Sequence, residues 1–460
     1  MTTRKILLLV GGGHSHIQVV KNFTHSTHDT QCMLISNSPV AVYSGMLPAV
    51  IAGLIPYEDS LVHLQPLCEA HNFHFIHGTV TQIDPQNKRV YFNAPQSSIQ
   101  FTLHYDVLSI DVGSRTRDVN DVSQPTMTNA KTQLPLIVRT RPILHLEDSI
   151  SEYESLAKEA SLPCARVVVI GAGAAGVELA LALEARLKRS LDETVVRIVS
   201  QHDTLVSQFG RMSGAAVAAE CRRRGIQMHI GQPVISVKDG VVRLKDGTEF
   251  TYDMAVIATG AAAHDWVRRT GLVTDEDGWL VVERTLQCKG FADVFAAGDC
   301  ISFGGAFGKQ FPPKAGVYAV REGPTLTHNL QKVLGNRGTL MEFTPQASFL
   351  SLLSTGDGRG IGTKHGLAFK GTWVYRLKNF IDERWQERFR VSWGTDGRVE
   401  DGQEDVDGQF DGTAAEGAAL LLCSEDLNQS DSFEKQLSVL RRMDCDDDFR
   451  EELLKCVQST

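Results

Sequence analysis

The sequence lacks closely spaced cysteines. Its nine cysteines are never closer than 11 positions apart, and no CxxC pair occurs. This spacing excludes a zinc ribbon and a local redox dithiol. Long uninterrupted apolar runs are also missing, since Ile6–Val10 ends at glycines and the apolar stretch 165–185 contains three glycines and Glu178. We therefore expect no signal peptide, no membrane span, and a reduced, cytoplasmic protein.

The chain has no basic excess either. Its net charge is −9, and the residues from Glu400 onward contain 17 acidic and 5 basic side chains, which leaves the preceding part at +3. A nucleic-acid partner is therefore not expected. In the segment 399–460 acids alternate with small and polar residues, which predicts an acidic, partly disordered tail. The evenly spaced His71, His74 and His77 are interpreted as surface or packing residues, and no metal site is predicted.

The first glycine-rich segment follows the apolar run Ile6–Val10 and reads Gly11-Gly12-Gly13-His14-Ser15-His16. A buried parallel strand that leads through glycines into a helix start is typical of a pyrophosphate site, because backbone N–H groups can approach the anion there. Taken alone, the segment fits a plain strand–turn–helix without a ligand equally well. His16 stands where the third glycine of a GxGxxG motif belongs, so we expect looser contact between helix and strand.

The second glycine-rich segment carries the complete motif. The apolar run 166–170 is followed by Gly171-Ala172-Gly173-Ala174-Ala175-Gly176, with a helical pattern after it. This context predicts a dinucleotide-binding turn. Two such turns about 160 residues apart predict two nucleotide-binding domains in one chain.

Later segments fit the return strands of two such domains. The apolar segments 105–113 and 252–260 end at Gly113 and Gly260, and the strand pattern 293–297 is followed by Gly298 and Asp299. Residues at the carboxyl ends of parallel strands are where open α/β sheets bind ligands.

This order of motifs resembles that of the two-dinucleotide-binding-domain flavoproteins, such as type II NADH dehydrogenases and sulfide:quinone oxidoreductases. The segments 11–16, 43–48, 313–323 and 354–358 more specifically resemble the flavoprotein module found N-terminal to selenide, water dikinase. The resemblance spans about residues 4–392, and too little chain follows for the kinase, so the stand-alone form is expected.

The resemblance implies an α/β fold with two Rossmann-like domains of the glutathione-reductase type, the NAD domain inserted in the FAD domain, and a small C-terminal α+β cap. The expected limits are 1–140 and 286–338 for the FAD-binding domain, 141–285 for the NAD(P)H-binding domain, 339–398 for the cap and 399–460 for the tail. FAD and either NADH or NADPH are the implied cofactors.

The implied site combines both glycine turns with later residues. The expected cofactor-binding residues are Gly11, Gly13, His14, Ser15, Ser36, Asn37, Ser44, Gly45, Gly113, Gly171, Gly173, Gly176, Ser200, Gly260, Gly298, Asp299 and Ala315. Asp299 suits a ribityl hydroxyl, and Ser44-Gly45 matches the segment that lies against the flavin in the type II dehydrogenases. Since no acid follows Ile35 or Val199, neither NADH nor NADPH is preferred.

Glu178 and Lys314 are the expected catalytic residues. In the related dehydrogenases a glutamate at the place of Glu178 faces the nicotinamide; the alternative is an acid that complements the helix dipole. Lys314, together with a helix start near Ala315, would stabilise negative charge on reduced flavin. The alternative for Lys314 is an ordinary solvated lysine. Cys300 is expected to be a small buried residue.

The predicted activity is FAD-dependent transfer of hydride from NAD(P)H to a quinone or other small acceptor, without a redox disulfide. Val317 and Arg321 occupy positions where the quinone-reducing relatives have glutamines. A redox-sensing or regulatory flavoprotein with slow turnover, linked to selenium metabolism, is the alternative.

The segment 371–391 predicts an amphipathic helix with basic residues and two tryptophans. Such a helix can lie on a membrane surface. It can also pack on the FAD domain or form a homodimer interface, which we favour.

Overall fold

The computed structural model describes residues 4–25, 30–119, 121–122, 134–141, 143–308, 312–335, 338–346, 350–364, 367–393 and 399–401. Of the predicted acidic tail, residues 402–460 lie outside this part of the chain. The described residues form eight α-helices: α1 (His14–Asn22), α2 (Leu47–Ile51), α3 (Leu64–Ala70), α4 (Leu146–Glu159), α5 (Ala174–Ser190), α6 (Arg211–Arg224), α7 (Gly316–Gly335) and α8 (Thr372–Glu387).

The strands fall into three stretches of the chain. The first contains β1 (Lys5–Val10), β2 (Thr30–Ser36), β3 (Val40–Val42), β4 (Leu61–His63), β5 (Phe73–His77), β6 (Thr79–Asp84), β7 (Arg89–Asn93), β8 (Gln100–His104), β9 (Val107–Ile110), β10 (Arg115–Thr116) and β11 (Leu136–Arg139). The second contains β12 (Ala165–Ile170), β13 (Thr194–Ser200), β14 (Gln227–Ile230), β15 (Val234–Lys238), β16 (Val241–Leu244), β17 (Glu249–Thr251), β18 (Met254–Ile257), β19 (Ala261–Ala262), β20 (Leu280–Val281), β21 (Val294–Ala296) and β22 (Ile301–Ser302). The third contains β23 (Ser351–Ser354), β24 (Gly360–Lys364), β25 (Leu367–Gly371), β26 (Val391–Trp393) and β27 (Val399–Asp401).

Two parallel five-stranded sheets form the framework. Their strand orders are β21-β9-β1-β2-β5 and β11-β18-β12-β13-β14, and every pairing within them is parallel. The strand before each glycine turn, β1 or β12, lies at the centre of its sheet. This is the place where open α/β sheets bind nucleotides. The predicted fold class of two Rossmann-like units is confirmed.

The limits between the two domains stay a prediction, with one strand placed differently from the expected boundary. β11 falls within the range 1–140 expected for the first domain, yet it pairs with β18 of the second sheet. It does so because its backbone groups complete the hydrogen-bond ladder at that edge. β21 pairs with β9 and so returns the chain to the first sheet.

Each sheet has its own buried core. Helices α1 and α7 pack together against the first sheet, whereas α5 packs against β12 and β13 of the second. The core strands are continuous apolar runs because helices or smaller sheets cover both faces. The three-stranded antiparallel sheets β6-β7-β8 and β15-β16-β17 add to these layers.

The cap consists of the antiparallel sheet β23-β24-β25 and helix α8, and it contacts both cores. Trp385 and Phe389 belong to the core of the first sheet, whereas Leu353 and Ile361 belong to that of the second. Most of the predicted apolar stripe is buried: Trp373, Leu377 and Trp385 of α8, and Phe389 just after it, are at most 8% exposed, whereas Ile381 is half-buried and lines the cleft. The stripe that suggested membrane contact is thus covered by the chain itself, in agreement with the packing alternative.

No helix in the described ranges is long and apolar enough to cross a membrane.

Candidate active site

A single cleft of about 1940 Å³ lies at the carboxyl ends of both parallel sheets and against the cap. Residues of both glycine turns, of the segment 36–45 and of helix α8 line it. Pockets for one small ligand usually measure about 300–1,000 Å³. The cleft is therefore large enough for two nucleotide cofactors that meet.

The first glycine turn brings backbone unusually close to the strand beside it. Gly11 has φ +97°, and a Cβ there would overlap the Asp111 carbonyl; a Cβ on Gly13 would overlap the Asp111 carboxyl group. Helix α1 begins at His14 without a side-chain cap from Gly13. Gly13 and His14, at its start, line the cleft, which is where a helix N-terminus binds an anion.

Asp111 is a buried carboxyl group that sequence reasoning missed. Its Oδ2 accepts hydrogen bonds from the N–H groups of Ser15 (3.0 Å) and His16 (3.4 Å), so it caps the second and third residues of α1. Burial raises its pKa to about 7. Asp111 directly follows β9, and the rule that ligand-site residues follow parallel strands could have singled it out.

A second buried acid, Glu322 of α7, lies beside Asp111. Its Oε2 accepts a hydrogen bond of 2.6 Å from the Gly298 N–H, and burial raises its pKa well above the ordinary value. A Cβ on Gly298 would overlap Asp111 Oδ1, so both acids flank this glycine. The close approach explains why glycine ends this strand.

His16 does not loosen the packing of α1, contrary to the expectation from the missing third glycine. The imidazole is fully buried, with Nδ1 2.7 Å from the Gly11 carbonyl oxygen and Nε2 2.8 Å from the Ser109 hydroxyl. Because a carbonyl can only accept, Nδ1 carries the proton and Nε2 accepts from Ser109. Burial lowers the pKa of His16 to about 4, so the ring is a neutral hydrogen-bonded spacer between helix and strand.

His14 lies in an aromatic group with Tyr43 and Trp385. The Tyr43 and Trp385 rings are stacked with centroids 4.2 Å apart, and the imidazole lies 5.1 Å from Trp385 and 5.6 Å from Tyr43. Burial lowers the pKa of His14 to about 4. The group places a neutral, flat surface from α1, from the segment 43–45 and from α8 on the cleft wall.

Asp299 lies at the carboxyl end of β21, as its position in the sequence predicts. Its carboxylate is paired with the Arg141 guanidinium and accepts a hydrogen bond of 3.3 Å from the Ser114 hydroxyl. Arg141 also donates to the Ser114 hydroxyl. Arg141 was missed, since it follows β11 and meets Asp299 only through the folded chain.

The second glycine turn has the same close approach. Gly171 has φ +127°, and a Cβ there would overlap the Ala258 carbonyl; a Cβ on Gly176 would overlap the Gly171 carbonyl. A Cβ on Gly173, in contrast, would meet nothing within 4 Å. Gly173 is therefore the glycine of this turn whose open side faces the cleft.

Glu178 lies in the second turn of α5 and faces the cap. Its Oε1 accepts a hydrogen bond of 2.8 Å from the Ser354 N–H. Burial raises its pKa to about 7, against the opposing effects of Lys378 and the Ser354 amide, and Asp382 raises it further. A carboxyl group with such a pKa changes charge near neutral pH.

Lys378 and Asp382, on one face of α8, form a buried ion pair at the cleft. Lys378 Nζ lies 2.7 Å from Asp382 Oδ2 and donates to the Gly45 carbonyl at 2.6 Å. Tyr43 donates to Asp382 Oδ1 at 3.1 Å. The i,i+4 spacing of these opposite charges within an apolar stripe is the signal that sequence reasoning overlooked.

Lys314 lines the cleft, but its ammonium group is engaged elsewhere. It donates to the Ile301 carbonyl and lies 4.3 Å from the centre of the Trp279 ring. Burial lowers its pKa. These contacts differ from those of a solvated lysine, and a role beside reduced flavin stays a prediction. Helix α7 begins at Gly316, just after Ala315.

Most of the predicted site residues come together in the cleft. The lining includes Gly11, Gly13, His14, Ser36, Asn37, Ser44, Gly45, Gly113, Gly173, Gly176, Glu178, Gly260, Asp299, Lys314 and Ala315. Ser15, Gly171, Ser200 and Gly298 are not part of that lining. Ser15 is turned away because its hydroxyl donates to Ala319 of α7 (2.7 Å), and the Ser200 hydroxyl accepts from the His202 N–H (3.1 Å). Both hydroxyl groups thus make hydrogen bonds to backbone groups of the protein.

The six cysteines in the described ranges are free thiols, and none of them lines the cleft. Cys300 is 3% exposed and contacts the Ala297 carbonyl at 3.1 Å. Burial raises its pKa, so it remains a protonated thiol. Within the same ranges no group of three His, Cys, Asp or Glu side chains is placed to hold a metal ion.

The donor set fits two dinucleotides. The N-termini of α1 and α5 open on the cleft through glycines, and neither N-cap glycine has a side chain to cap its helix. Carboxylate, amide and hydroxyl groups stand at the strand ends beside the first turn, where ribose and ribityl hydroxyls need partners. The aromatic group of His14, Tyr43 and Trp385 and the α7 N-terminus line the same cleft as the two turns.

Comparisons with known proteins agree with this geometry. A type II NADH:quinone oxidoreductase of Staphylococcus aureus is 24% identical over 400 residues, covering 83% of this chain and 95% of the relative. The sulfide:quinone oxidoreductase of Aquifex aeolicus matches with a TM-score of 0.67 at 18% identity, covering 84% of this chain and 91% of the other. The NDH2 of Plasmodium falciparum in complex with NADH matches with a TM-score of 0.68 at 14% identity, covering 83% and 98%.

The structural matches support the fold, and the sequence decides the family. A sequence model described as pyridine nucleotide-disulphide oxidoreductase matches residues 6–331, which include both glycine turns, Asp299 and most of α7. The chain therefore belongs to the pyridine nucleotide-disulphide oxidoreductase family.

Proposed function

We propose that this chain is an FAD-dependent NADH dehydrogenase that delivers electrons to a quinone-type acceptor without a redox-active disulfide. The observation that carries the proposal is the opening of both glycine turns and Glu178 onto one cleft whose described lining contains no cysteine. When bound, FAD takes a hydride from the nicotinamide and passes the electrons on. The protein's own part is to bind, orient and supply charge.

The first turn is the proposed FAD site. The N–H groups at the start of α1 would hold the pyrophosphate, with Asp111 already satisfying the next two N–H groups of the helix. Asp299, fixed by Arg141, would meet a ribityl hydroxyl. Ser36 and Asn37 would face the adenosine ribose. The segment Tyr43–Gly45, held by Lys378 through Gly45, would support the ring system.

The second turn is the proposed NADH site. The N–H groups at the start of α5 would hold the pyrophosphate, and the open side of Gly173 lets it approach. Glu178 would accept a hydrogen bond from the nicotinamide carboxamide, which is stronger when the acid is ionised. NADH is the nucleotide in the matched structure of the Plasmodium NDH2.

Gly173→Val tests the assignment of the two turns. The new side chain meets no protein atom at its Cβ and its backbone is extended, so the chain should fold normally. We expect the purified variant to keep one FAD per chain while NADH reduces that FAD at least about tenfold more slowly at low NADH concentration, because the side chain occupies pyrophosphate space.

Gly335→Val is the matched control, since a Cβ there also meets nothing within 4 Å and the residue lies at the far end of α7. This variant should keep both FAD and wild-type reduction. Unchanged reduction in Gly173→Val, or loss of FAD in place of NADH reactivity, would contradict the assignment.

A quinone is the proposed acceptor. The supporting facts are the names of the relatives and the apolar Leu350 and Leu352 of the cap, which line the same cleft as the Lys378–Asp382 pair. Val317 and Arg321 stand in place of the glutamines of quinone-reducing relatives. For this reason slow turnover in a regulatory flavoprotein, related to the module fused to selenide, water dikinase, is the alternative. Sustained NADH oxidation with a water-soluble quinone distinguishes the two.

A further inference from the structure

The turn between β23 and β24 carries a sequence motif that the proposed chemistry does not use. It comprises residues 355–359 and closes on itself: the Thr355 N–H donates to the Arg359 carbonyl at 3.0 Å, and the Thr355 hydroxyl lies 2.6 Å from Asp357 Oδ1. Gly356 and Gly358 both have positive φ, +75° and +79°. The turn is thus a compact unit at the tip of the cap hairpin.

This turn rests directly on the backbone of helix α5. A Cβ on Gly356 would lie 2.9 Å from Ala182 Cα and 3.1 Å from the Leu181 carbonyl oxygen. Both atoms belong to a helix backbone and cannot yield. Gly356 is therefore required by contact as well as by its φ angle, whereas a Cβ on Gly358 would meet nothing within 4 Å.

Arg224, the last residue of α6, fastens the turn from the other side. Its guanidinium donates to the Thr355 carbonyl and to the Glu184 carboxylate of α5, and Nη1 lies 3.7 Å from Asp357 Oδ2. The side chain is only 7% exposed. A buried planar fork that joins three segments fixes their relative position more firmly than a surface ion pair does.

A backbone hydrogen bond links this turn to Glu178. Ser354, the residue before the turn, gives its N–H to Glu178 Oε1, and Glu178 shares one face of α5 with Leu181 and Ala182. The other charged groups that face Glu178 are Lys378 and Asp382 of α8. The Ser354 N–H is thus the neutral partner whose position depends on the turn.

We propose that Arg224 and Gly356 are positioning residues for Glu178, which act by holding the turn 355–359 on α5 so that the Ser354 N–H stays on the Glu178 carboxylate. This inference rests on the proposed function, in which Glu178 orients the nicotinamide. Neither residue lines the cleft. Their influence passes through one backbone hydrogen bond.

Loss of the hydrogen bond between Ser354 and Glu178 changes the pKa of Glu178 in a defined direction. A hydrogen bond to a carboxylate favours its ionised form, so displacing the Ser354 N–H raises the pKa of Glu178 above about 7. Because the ionised acid is the better partner for the carboxamide, the rate of flavin reduction at low NADH should rise with pH through this pKa. Displacing the turn moves the midpoint of that rise upward.

The experiment compares Gly356→Ala with Gly358→Ala. Both place alanine at a similar positive φ in the same turn and so carry a similar backbone strain, but only the first pushes against α5. We expect the pH midpoint of flavin reduction by NADH to move up by roughly 0.5–1 unit in Gly356→Ala, from the usual strength of one hydrogen bond, and to stay at the wild-type value in Gly358→Ala.

Hydrogen exchange supplies a readout that does not depend on activity. Amides of the peptide 351–359 should exchange at least about tenfold faster in Gly356→Ala than in Gly358→Ala, since the turn leaves α5. The double variant Arg224→Met, Glu184→Gln removes the fork without stranding a buried carboxylate and should repeat both effects. Glu178→Gln, which cannot titrate, should abolish the pH dependence.

Each possible outcome either supports or overturns the positioning role of Arg224 and Gly356. Equal midpoints and equal exchange in Gly356→Ala and Gly358→Ala would overturn the positioning role while leaving the proposed function intact. Faster exchange in Gly356→Ala without a shifted midpoint would show a merely structural turn and would also overturn it. A wild-type protein whose flavin NADH does not reduce at any pH would overturn the proposed function and the positioning role with it.

Discussion

At the scale of single residues, the site depends on acids held in places where water cannot reach them. Asp111 is 2% exposed and accepts hydrogen bonds from two helix N–H groups, and no cation is paired with it among the residues that the structure describes. Burial therefore favours its protonated form. The unfolded chain would ionise the same acid at its ordinary value, 3.8. The folded state consequently holds a proton that the unfolded state has lost over the range between about 4 and 7.

This difference fixes the sign of a pH effect on stability. The contribution of Asp111 is most favourable below about pH 4, falls as pH rises to about 7, and stays constant above. We expect Asp111→Asn to remove this fall, so that between pH 5.5 and 8 wild type loses about 2 kcal/mol more unfolding free energy than the variant. Guanidinium unfolding of both proteins at the two pH values measures this difference in unfolding free energy.

Asp277→Asn is the control, since Asp277 is exposed. It should change with pH as wild type does. If Asp111→Asn and wild type lost the same stability between the two pH values, the buried proton would be absent and the interpretation of Asp111 as a neutral cap would be wrong.

At the scale of elements, helix α8 joins the cap to the first domain. Trp385 stacks on Tyr43 and contacts Phe389 at a centroid distance of 4.7 Å, and it is 8% exposed. Removing this side chain leaves a cavity between the cap and the segment 43–45. The helix that holds Lys378 and Asp382 in the cleft thus depends on an aromatic anchor about one turn from Asp382 and two turns from Lys378.

Trp385→Ala should reduce the unfolding free energy by about 3–5 kcal/mol, the usual cost of a large buried aromatic side chain. Phe380→Ala on the same helix is the matched control, because Phe380 is half-buried and its ring meets Arg384 on the outer side; about 1 kcal/mol is expected there. Denaturant titrations measure the loss of unfolding free energy in each variant, with amide exchange in the cap as the probe. Equal losses would contradict the role of Trp385 as the anchor.

The elements also show what the sequence could and could not predict. Both glycine turns were predictable because strand, turn and helix start are local patterns, and the position of Asp299 was predictable because it follows an apolar strand; its role as a ligand residue stays a prediction. The side chain of His16 was interpreted wrongly, since its partner Ser109 lies 93 residues away. Arg141 and Asp299 are separated by 158 residues. Such partners are set by tertiary packing, and a single sequence does not reveal them.

At the scale of the whole molecule, two similar sheets and a bridging cap enclose one cleft. The first core includes residues of α8, and the second includes residues of β23 and β24. The cap therefore holds the two glycine turns in a fixed relation, and Glu178 reaches the cap from the second domain. This arrangement suits direct transfer of a hydride from a nicotinamide to a flavin, because residues of the same cleft must position both cofactors.

A two-step anaerobic mixing experiment tests this arrangement most directly. The purified protein with its bound FAD is mixed with one equivalent of NADH while flavin absorbance is followed at about 450 nm, and a water-soluble quinone is added afterwards. We predict complete bleaching by one NADH per FAD, followed by full recovery on addition of quinone. Bleaching without recovery would contradict the quinone assignment and favour the regulatory alternative; bound FAD that NADH does not bleach would contradict the proposed dehydrogenase itself.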